Sequence, residues 1–376
     1  MKAYIIRERC LFCKKSAFTT LLNKDYSIPI GCFSVNDSNY EYTFIPYNLY
    51  NCSNCFTVQT KYEGDLSLIY GESFAGLFGT TRSIMNIEFS KFILSNHSIK
   101  SVLEVGAGNG DIADILLEKS GLDYTIIDPS YWGNTTNRSI IKNFIENIDT
   151  SSLNSDTLVM SHVFEHFYDP MAILTKVSQM PNLTHIYINH PNLESFIKNG
   201  NYHVLNPEHI FYVETSFIEE IFLLFGFKRK RSYNYTDFAI FLEFERIQIE
   251  NNSISFPKNI NTVESTQIFF SNLFINIKTI NDILEKTTVP VHIWPSSMHT
   301  NFVIAMGLNK EKIKFVLDNS PHKIGKYLYG YNLYCKSFKE ITESEKKKII
   351  ILAGGLYNKE IIDSVRSNSS NIVYII

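Results

Sequence analysis

One pentapeptide constrains this chain more than any other stretch: Gly106-Ala107-Gly108-Asn109-Gly110, with a buried-strand pattern directly before it and a helical pattern directly after. The strand reads Ser101-Val102-Leu103-Glu104-Val105. Ile112, Ile115, Leu116 and Leu117 then share one helical face as far as Gly121, which suits a helix C-cap. A second strand, Tyr124 to Ile127, delivers Asp128, 22 residues beyond Gly106, where a carboxylate can accept from both hydroxyls of a ribose. Strand, glycine turn, helix, strand and acid is the layout of a nucleotide site, the glycines letting a ligand lie against the backbone. The Gly-x-Gly-x-Gly spacing lacks the Gly-x-Gly-x-x-Gly of the dinucleotide fold, and no Gly-Lys-Ser or Gly-Lys-Thr follows as a P-loop requires.

Glu104, just before the turn, would repel a pyrophosphate and suits the ammonium and sulfonium of S-adenosylmethionine. An acidic residue followed by Gly-x-Gly-x-Gly resembles the first motif of the class I methyltransferases. The cofactor-binding set on this reading is Glu104, Gly106, Gly108, Gly110, Asp128 and His162.

The alternation continues downstream. Thr157 to Ser161 leads into His162-Val163-Phe164-Glu165-His166-Phe167-Tyr168-Asp169-Pro170, a helix, and the strand Thr184 to Asn189. A helix from Thr215 to Phe225 and strands Lys228 to Tyr235 and Phe238 to Arg246 bring the count to seven. The expected fold is α/β, a class I seven-stranded Rossmann-like sheet whose ligands sit at the strands' carboxyl ends, where His162, His166 and His190 fall. The run Lys228-Arg229-Lys230-Arg231 is expected to be a solvated edge. A polar break with a proline at 250–258 marks a boundary. Beyond it, Ile268, Phe270, Leu273, Phe274, Ile277, Ile280 and Leu284 form a helical docking stripe. The expected division is 1–84, a zinc lobe and lead-in helix; 85–248, the methyltransferase domain; 249–287, linker and docking helix; and 288–376, a C-terminal α/β Rossmann-like domain.

Four of the six cysteines form two Cys-x-x-Cys pairs, Cys10 with Cys13 and Cys52 with Cys55. In a reducing compartment this spacing predicts a structural Zn2+, four sulfurs closing the tetrahedron and leaving no position for water or substrate. The metal would staple a lobe too small to hold itself. Cys32 and Cys335 have no partner at such spacing.

The chain also resembles a narrower family, the nucleotide-sugar C-methyltransferases that branch deoxysugars. The resemblance runs through Ile45-Pro46-Tyr47-Asn48-Leu49-Tyr50-Asn51-Cys52-Ser53-Asn54-Cys55 with Val58-Gln59. It continues through Asp318-Asn319-Ser320-Pro321-His322-Lys323-Ile324-Gly325, which is similar to a D-x-x-P-x-K-x-G segment, and through Leu352 to Ile361. It implies a site-closing role for Tyr70 and a general base at His209, oriented by Glu208, within Asn206-Pro207-Glu208-His209; His166 joins them as a catalytic candidate. A histidine suits that task near neutral pH. It implies that the last domain helps hold the substrate's nucleotide, with Trp294, Asp318 and Lys323 as contacts. The sequence departs from the family where Asn206 replaces a tyrosine and Tyr235-Thr236-Asp237-Phe238 replaces His-Gly-Gly-Ser. Both lie where the acceptor is read, so O-methylation of a sugar hydroxyl is favoured over C-methylation of a keto-sugar.

Composition sets the remaining limits. Thirty-five Lys plus Arg against 38 Asp plus Glu, net −3, gives no global field for nucleic acid or an anionic membrane. The first nine residues lack a signal-peptide pattern and no apolar run approaches a bilayer's thickness, so a cytoplasmic protein is expected. A small-molecule, nucleotide-linked sugar from surface-polysaccharide or deoxysugar biosynthesis is the expected partner. An RNA methyltransferase and a non-catalytic zinc and ligand-binding scaffold are the readings from other classes.

Overall fold

The computed structural model describes residues 3–30, 34–70, 80–119, 121–199, 208–248, 255–344, 347–355, 358–366 and 371–376. Seven strands form its central sheet: β1 (Ser101–Val105), β2 (Asp123–Ile127), β3 (Ser139–Ile141), β4 (Thr157–Ser161), β5 (His185–Pro191), β6 (Phe227–Asn234) and β7 (Ala239–Arg246). Their spatial order is β3-β2-β1-β4-β5-β7-β6, the first five parallel and β7 antiparallel to both its neighbours. This is the Rossmann-like seven-stranded sheet expected from the alternation of strands and helices. The central strands β1, β4 and β5 are buried on both faces, which is why they read as near-continuous apolar runs.

Local chemistry fixes the turns at the carboxyl edge. Gly106 ends β1 with a φ of +71° that an L side chain rarely adopts. The helix Asp111–Lys119 starts just after, with Asp111 and Asp114 in its first turn opposing the helix dipole. After β4, Asp169 caps the helix Pro170–Ser178, its Oδ1 accepting from the Ala172 amide at 3.0 Å, with Pro170 in the first turn. The cationic run in β6 is the solvated edge expected, and its charges are paired. Arg231 bonds Glu243, Lys230 lies 3.2 Å from Glu245 and Arg229 2.9 Å from Glu219, with a bulge between Arg229 and Arg231.

A second seven-stranded sheet lies C-terminal. Asn371–Ile375, Lys348–Leu352, Val291–Trp294, Phe315–Leu317 and Leu333–Lys336 run parallel, and Tyr327–Leu328 turns back against the last. Its outermost strand comes from the other end of the chain, Ser34–Val35. The helix Ile260–Leu284 packs with this half through Phe270, Leu273, Ile277, Ile280 and Leu284. Ile268, expected in that stripe, is instead 55% exposed, because it stands two residues from Phe270 and so on the helix's opposite side.

The N-terminal segment is wedged between the two sheets. Its four-stranded sheet is completed by Phe211–Tyr212, which pairs with Val58 and Gln59. Phe12, inside the first cysteine turn, meets Phe211 and Phe217 edge-on at 4.9 and 5.1 Å. Leu22, Tyr26, Tyr47 and Leu49 share a core with the docking helix and the C-terminal sheet. Among the described residues no helix is long and apolar enough to cross a membrane. Phe12→Ala removes a fully buried ring at this junction and is expected to cost about 3–5 kcal/mol of unfolding free energy in a denaturant titration. Because the junction is shared, the lobe and central sheet are expected to unfold in one transition.

Candidate functional site

The glycine turn is built as a cradle. Gly108 and Gly110 join Gly106 at positive φ (+59° and +80°), and a Cβ on Gly106 would meet Val163 Cγ2 at 2.4 Å. The loop after β2 folds against the turn, with the Trp132 amide donating to the Gly108 carbonyl at 3.3 Å. Asp128 ends β2 with both oxygens already engaged: Oδ2 accepts from the Gly108 amide at 2.8 Å and Oδ1 from the Ser130 amide at 2.7 Å. Each oxygen keeps a lone pair for a hydroxyl donor, so the carboxylate is preset rather than consumed.

Glu104 lies beneath the turn and is 2% exposed, its Oε2 accepting from the Tyr124 hydroxyl at 2.7 Å. Burial pushes its carboxyl up to about 7 despite that bond. A buried carboxyl in this state is stabilised in its charged form by a cation brought to the turn, which fits a sulfonium amino acid and not a phosphate.

Across the edge from this cradle, the β4 and β5 ends and the segment around residue 209 converge on one side chain that the sequence reading gave no role. Glu165 is 1% exposed. Its Oε1 is 3.2 Å from His162 Nδ1 and 3.9 Å from His209 Nε2, and its Oε2 is 3.4 Å from His190 Nδ1. His166 completes the group, its ring edge-on to His209 with centroids 5.0 Å apart. His162 sits at a φ of +54°, unusual for a residue with a Cβ, which turns its ring toward Glu165. Burial opposes charge on Glu165, yet the adjacent imidazoles of His162 and His190 hold it well below the usual carboxylate range. Burial, with the charge of Arg82 added, pulls His162 down to about 4; burial and His209 pull His166 down to about 3. The arrangement is one buried carboxylate among four imidazoles, of which His162 and His166 are held neutral near pH 7.

The other expected residues fall as follows. His209 and Glu208 are both buried beside the cluster, and the Glu208 charge acts on the Tyr168 phenol. Asn206 lies outside the described residues, as does Cys32. Tyr70 closes the short helix Leu66–Tyr70. Trp294 is a correction: it is 4% exposed, its ring 5.2 Å from Phe338 in an apolar cluster with Leu317 and Leu352, so it fills core instead of facing a substrate. Lys323 is tied within the protein, donating to the Ser296 carbonyl at 2.8 Å and to Asp318 at 3.1 Å.

The four cysteines do come together, with sulfurs all within 4.8 Å of one another and the Cys10–Cys55 and Cys13–Cys52 pairs at 3.5 Å. Four zinc–sulfur bonds of about 2.3 Å in a tetrahedron put sulfurs about 3.8 Å apart, so the donor set fits the ion. Both turns share one shape. The residue after each pair, Lys14 and Phe56, has φ near +60°, and its amide donates to the carbonyl of the pair's first cysteine.

Residues 84–230 match a family described as a methyltransferase domain. No curated relative matches the chain in sequence. Among solved structures the chain is similar to a plantazolicin methyltransferase with bound SAH, at 14% identity over 44% of this chain and 84% of that one, with a TM-score of 0.36. It is also similar to the magnesium protoporphyrin IX methyltransferase of Synechocystis, at 14% identity, 47% and 90% coverage and a TM-score of 0.36. A third likeness is to the 1,6-didemethyltoxoflavin N1-methyltransferase of Burkholderia thailandensis, at 11% identity, 45% and 80% coverage and a TM-score of 0.37.

Two outcomes are expected. The unfolded chain's histidines titrate near 6.5 while His162 and His166 are depressed, so between these values the unfolded state binds more protons and stability rises with pH. The depressed Glu165 acts in the same direction at lower pH. The thermal midpoint should therefore fall as pH drops from about 6.5 toward 4, and fall less in His166→Asn. Separately, plasma mass spectrometry of a clean preparation should find one zinc per chain, lost in Cys13→Ser.

Proposed function

We propose that this chain, a methyltransferase that uses S-adenosylmethionine, acts on a sugar carried by a nucleotide, methylating a hydroxyl with His209 as the general base. The observation that carries the reading is the placement of a buried carboxylate–histidine cluster at the same sheet edge as the glycine cradle. Val163, which touches Gly106, is the immediate neighbour of His162.

In this reading Gly106, Gly108 and Gly110 admit the cofactor to the backbone, Asp128 holds its ribose and Glu104 faces its cationic end. When bound, S-adenosylmethionine supplies the methyl as an electrophilic carbon. The protein's own part is to align the acceptor, keep water out and remove one proton. His209 is positioned for that proton, being only 11% exposed at the side chain and facing Glu165, whose negative charge stabilises the imidazolium formed. Glu208, buried next to it in sequence, supports its orientation. The four-cysteine zinc is structural in this account and takes no part in the chemistry. The nucleotide end of the substrate is assigned to the C-terminal sheet, whose Asp318–Lys323 pair braces the loop after Trp294. A carbon acceptor next to a ketone would need an enolate stabilised as well as a proton removed. Loss of the resembled family's tyrosine at Asn206 favours the hydroxyl.

The test is a mass-spectrometric screen of nucleotide-linked sugars with the methyl donor. One substrate should gain a methyl, and product NMR should find it bonded to oxygen; a carbon-bonded methyl would overturn the hydroxyl assignment. His209→Ala should lower turnover about 10²–10⁴-fold while S-adenosylmethionine still binds in calorimetry. Asp128→Ala should lose that binding.

A further inference from the structure

We infer that Glu165, His166 and His209 form a binding site for a divalent cation, separate from the four-cysteine cluster, at which an oxygen of the acceptor is held. The inference rests on the acceptor position of the preceding reading, though the cation site itself does not require that reading.

The argument is geometric. One ligand atom from each of the three residues lies within 4.8 Å of the others. Bonds of about 2.1 Å to nitrogen and oxygen place neighbouring ligands roughly 3.0–3.4 Å apart, so the observed 3.9 Å between His209 Nε2 and Glu165 Oε1 needs closing by less than 1 Å.

The surroundings resemble a ligand shell more than an apolar core. Among the described residues, Glu165 Oε2 and His190 Nδ1 are buried without a hydrogen bond of good geometry, although they face each other at 3.4 Å. His162 Nδ1, 3.2 Å from Oε1, orients the carboxylate from outside the trio, as second-layer partners of metal ligands do.

Two imidazoles and one carboxylate with coordination positions left open match the preference of Mn2+, Fe2+, Co2+ and Zn2+. The soft sulfur set of the cysteine cluster selects zinc, so the two sites differ in the metal they favour. An open position at the second site would take water or an acceptor oxygen, and a pair of adjacent oxygens, as in a vicinal diol or a hydroxyl next to a carbonyl, would take two. A cation here would occupy Nε2 of His209, so His209 as general base and an acceptor hydroxyl held on a cation are alternatives that the metal titration separates.

The experiment uses the full chain carrying its one zinc, titrated with Mn2+ and followed by electron paramagnetic resonance and calorimetry. Mn2+ is chosen because it competes poorly for thiolates. One Mn2+ per chain is expected, with affinity weakened at least about tenfold in Glu165→Gln and His166→Ala and unchanged in Lys323→Ala. If Glu165→Gln does not fold, His209→Ala decides by the same measurement. No saturable Mn2+, Co2+ or second Zn2+ site at millimolar metal, or binding that survives all three substitutions, would overturn the inference. Calorimetry with S-adenosylmethionine on the same preparation separates the two readings: a chain that binds Mn2+ and not the methyl donor removes the methyl-transfer reading and leaves the cation site, and the reverse result does the opposite.

Discussion

Parallel pairing of Glu104 with Ile126 on one side and Val159 on the other brings the carboxyl ends of β2, β1 and β4 to one edge of the central sheet. What the chain does immediately after each strand is thereby delivered to the same place: Asp128 after β2, the glycine turn after β1, and His162 through His166 after β4. A slip of one residue in any of these pairings would turn Glu104 or Val159 to the opposite face and separate the cradle from the histidines.

Much of this was legible in the sequence because its signals are local. A strand, three glycines at alternate positions and an acid 22 residues on all lie within one βαβ unit, and each cysteine pair is a single turn. Both are governed by backbone geometry that short spacing encodes. The positive φ angles at Gly106, Gly108 and Gly110 and the matched turns at Lys14 and Phe56 are the physical counterparts of those spacings.

What escaped reading is non-local. Glu165 looked like one more loop carboxylate, because His190 and His209 reach it from 25 and 44 residues downstream by way of the sheet's fold. No periodicity announces such a convergence. Trp294, offered as a substrate contact by the family resemblance, is covered by neighbouring strands and helices that no local pattern announces. Two-residue strands such as Ser34–Val35 and Phe211–Tyr212 are too short to carry any pattern, and the attachment of the N-terminal segment to both sheets depends on them.

Those short strands impose an order on synthesis. Ser34 pairs with Leu328 and Val58 with Tyr212, so during synthesis these strands wait for residues as many as nearly 300 positions later before their edges are covered. Until then those edges are open to wrong partners. Within that segment the cysteine turns and the pairings of Phe18 with Cys52, Tyr26 with Tyr47 and Leu49 with Thr60 are all complete by residue 60. A metal captured there would hold the nascent lobe in shape through the interval, and would so act as a timing device in biogenesis as well as a staple.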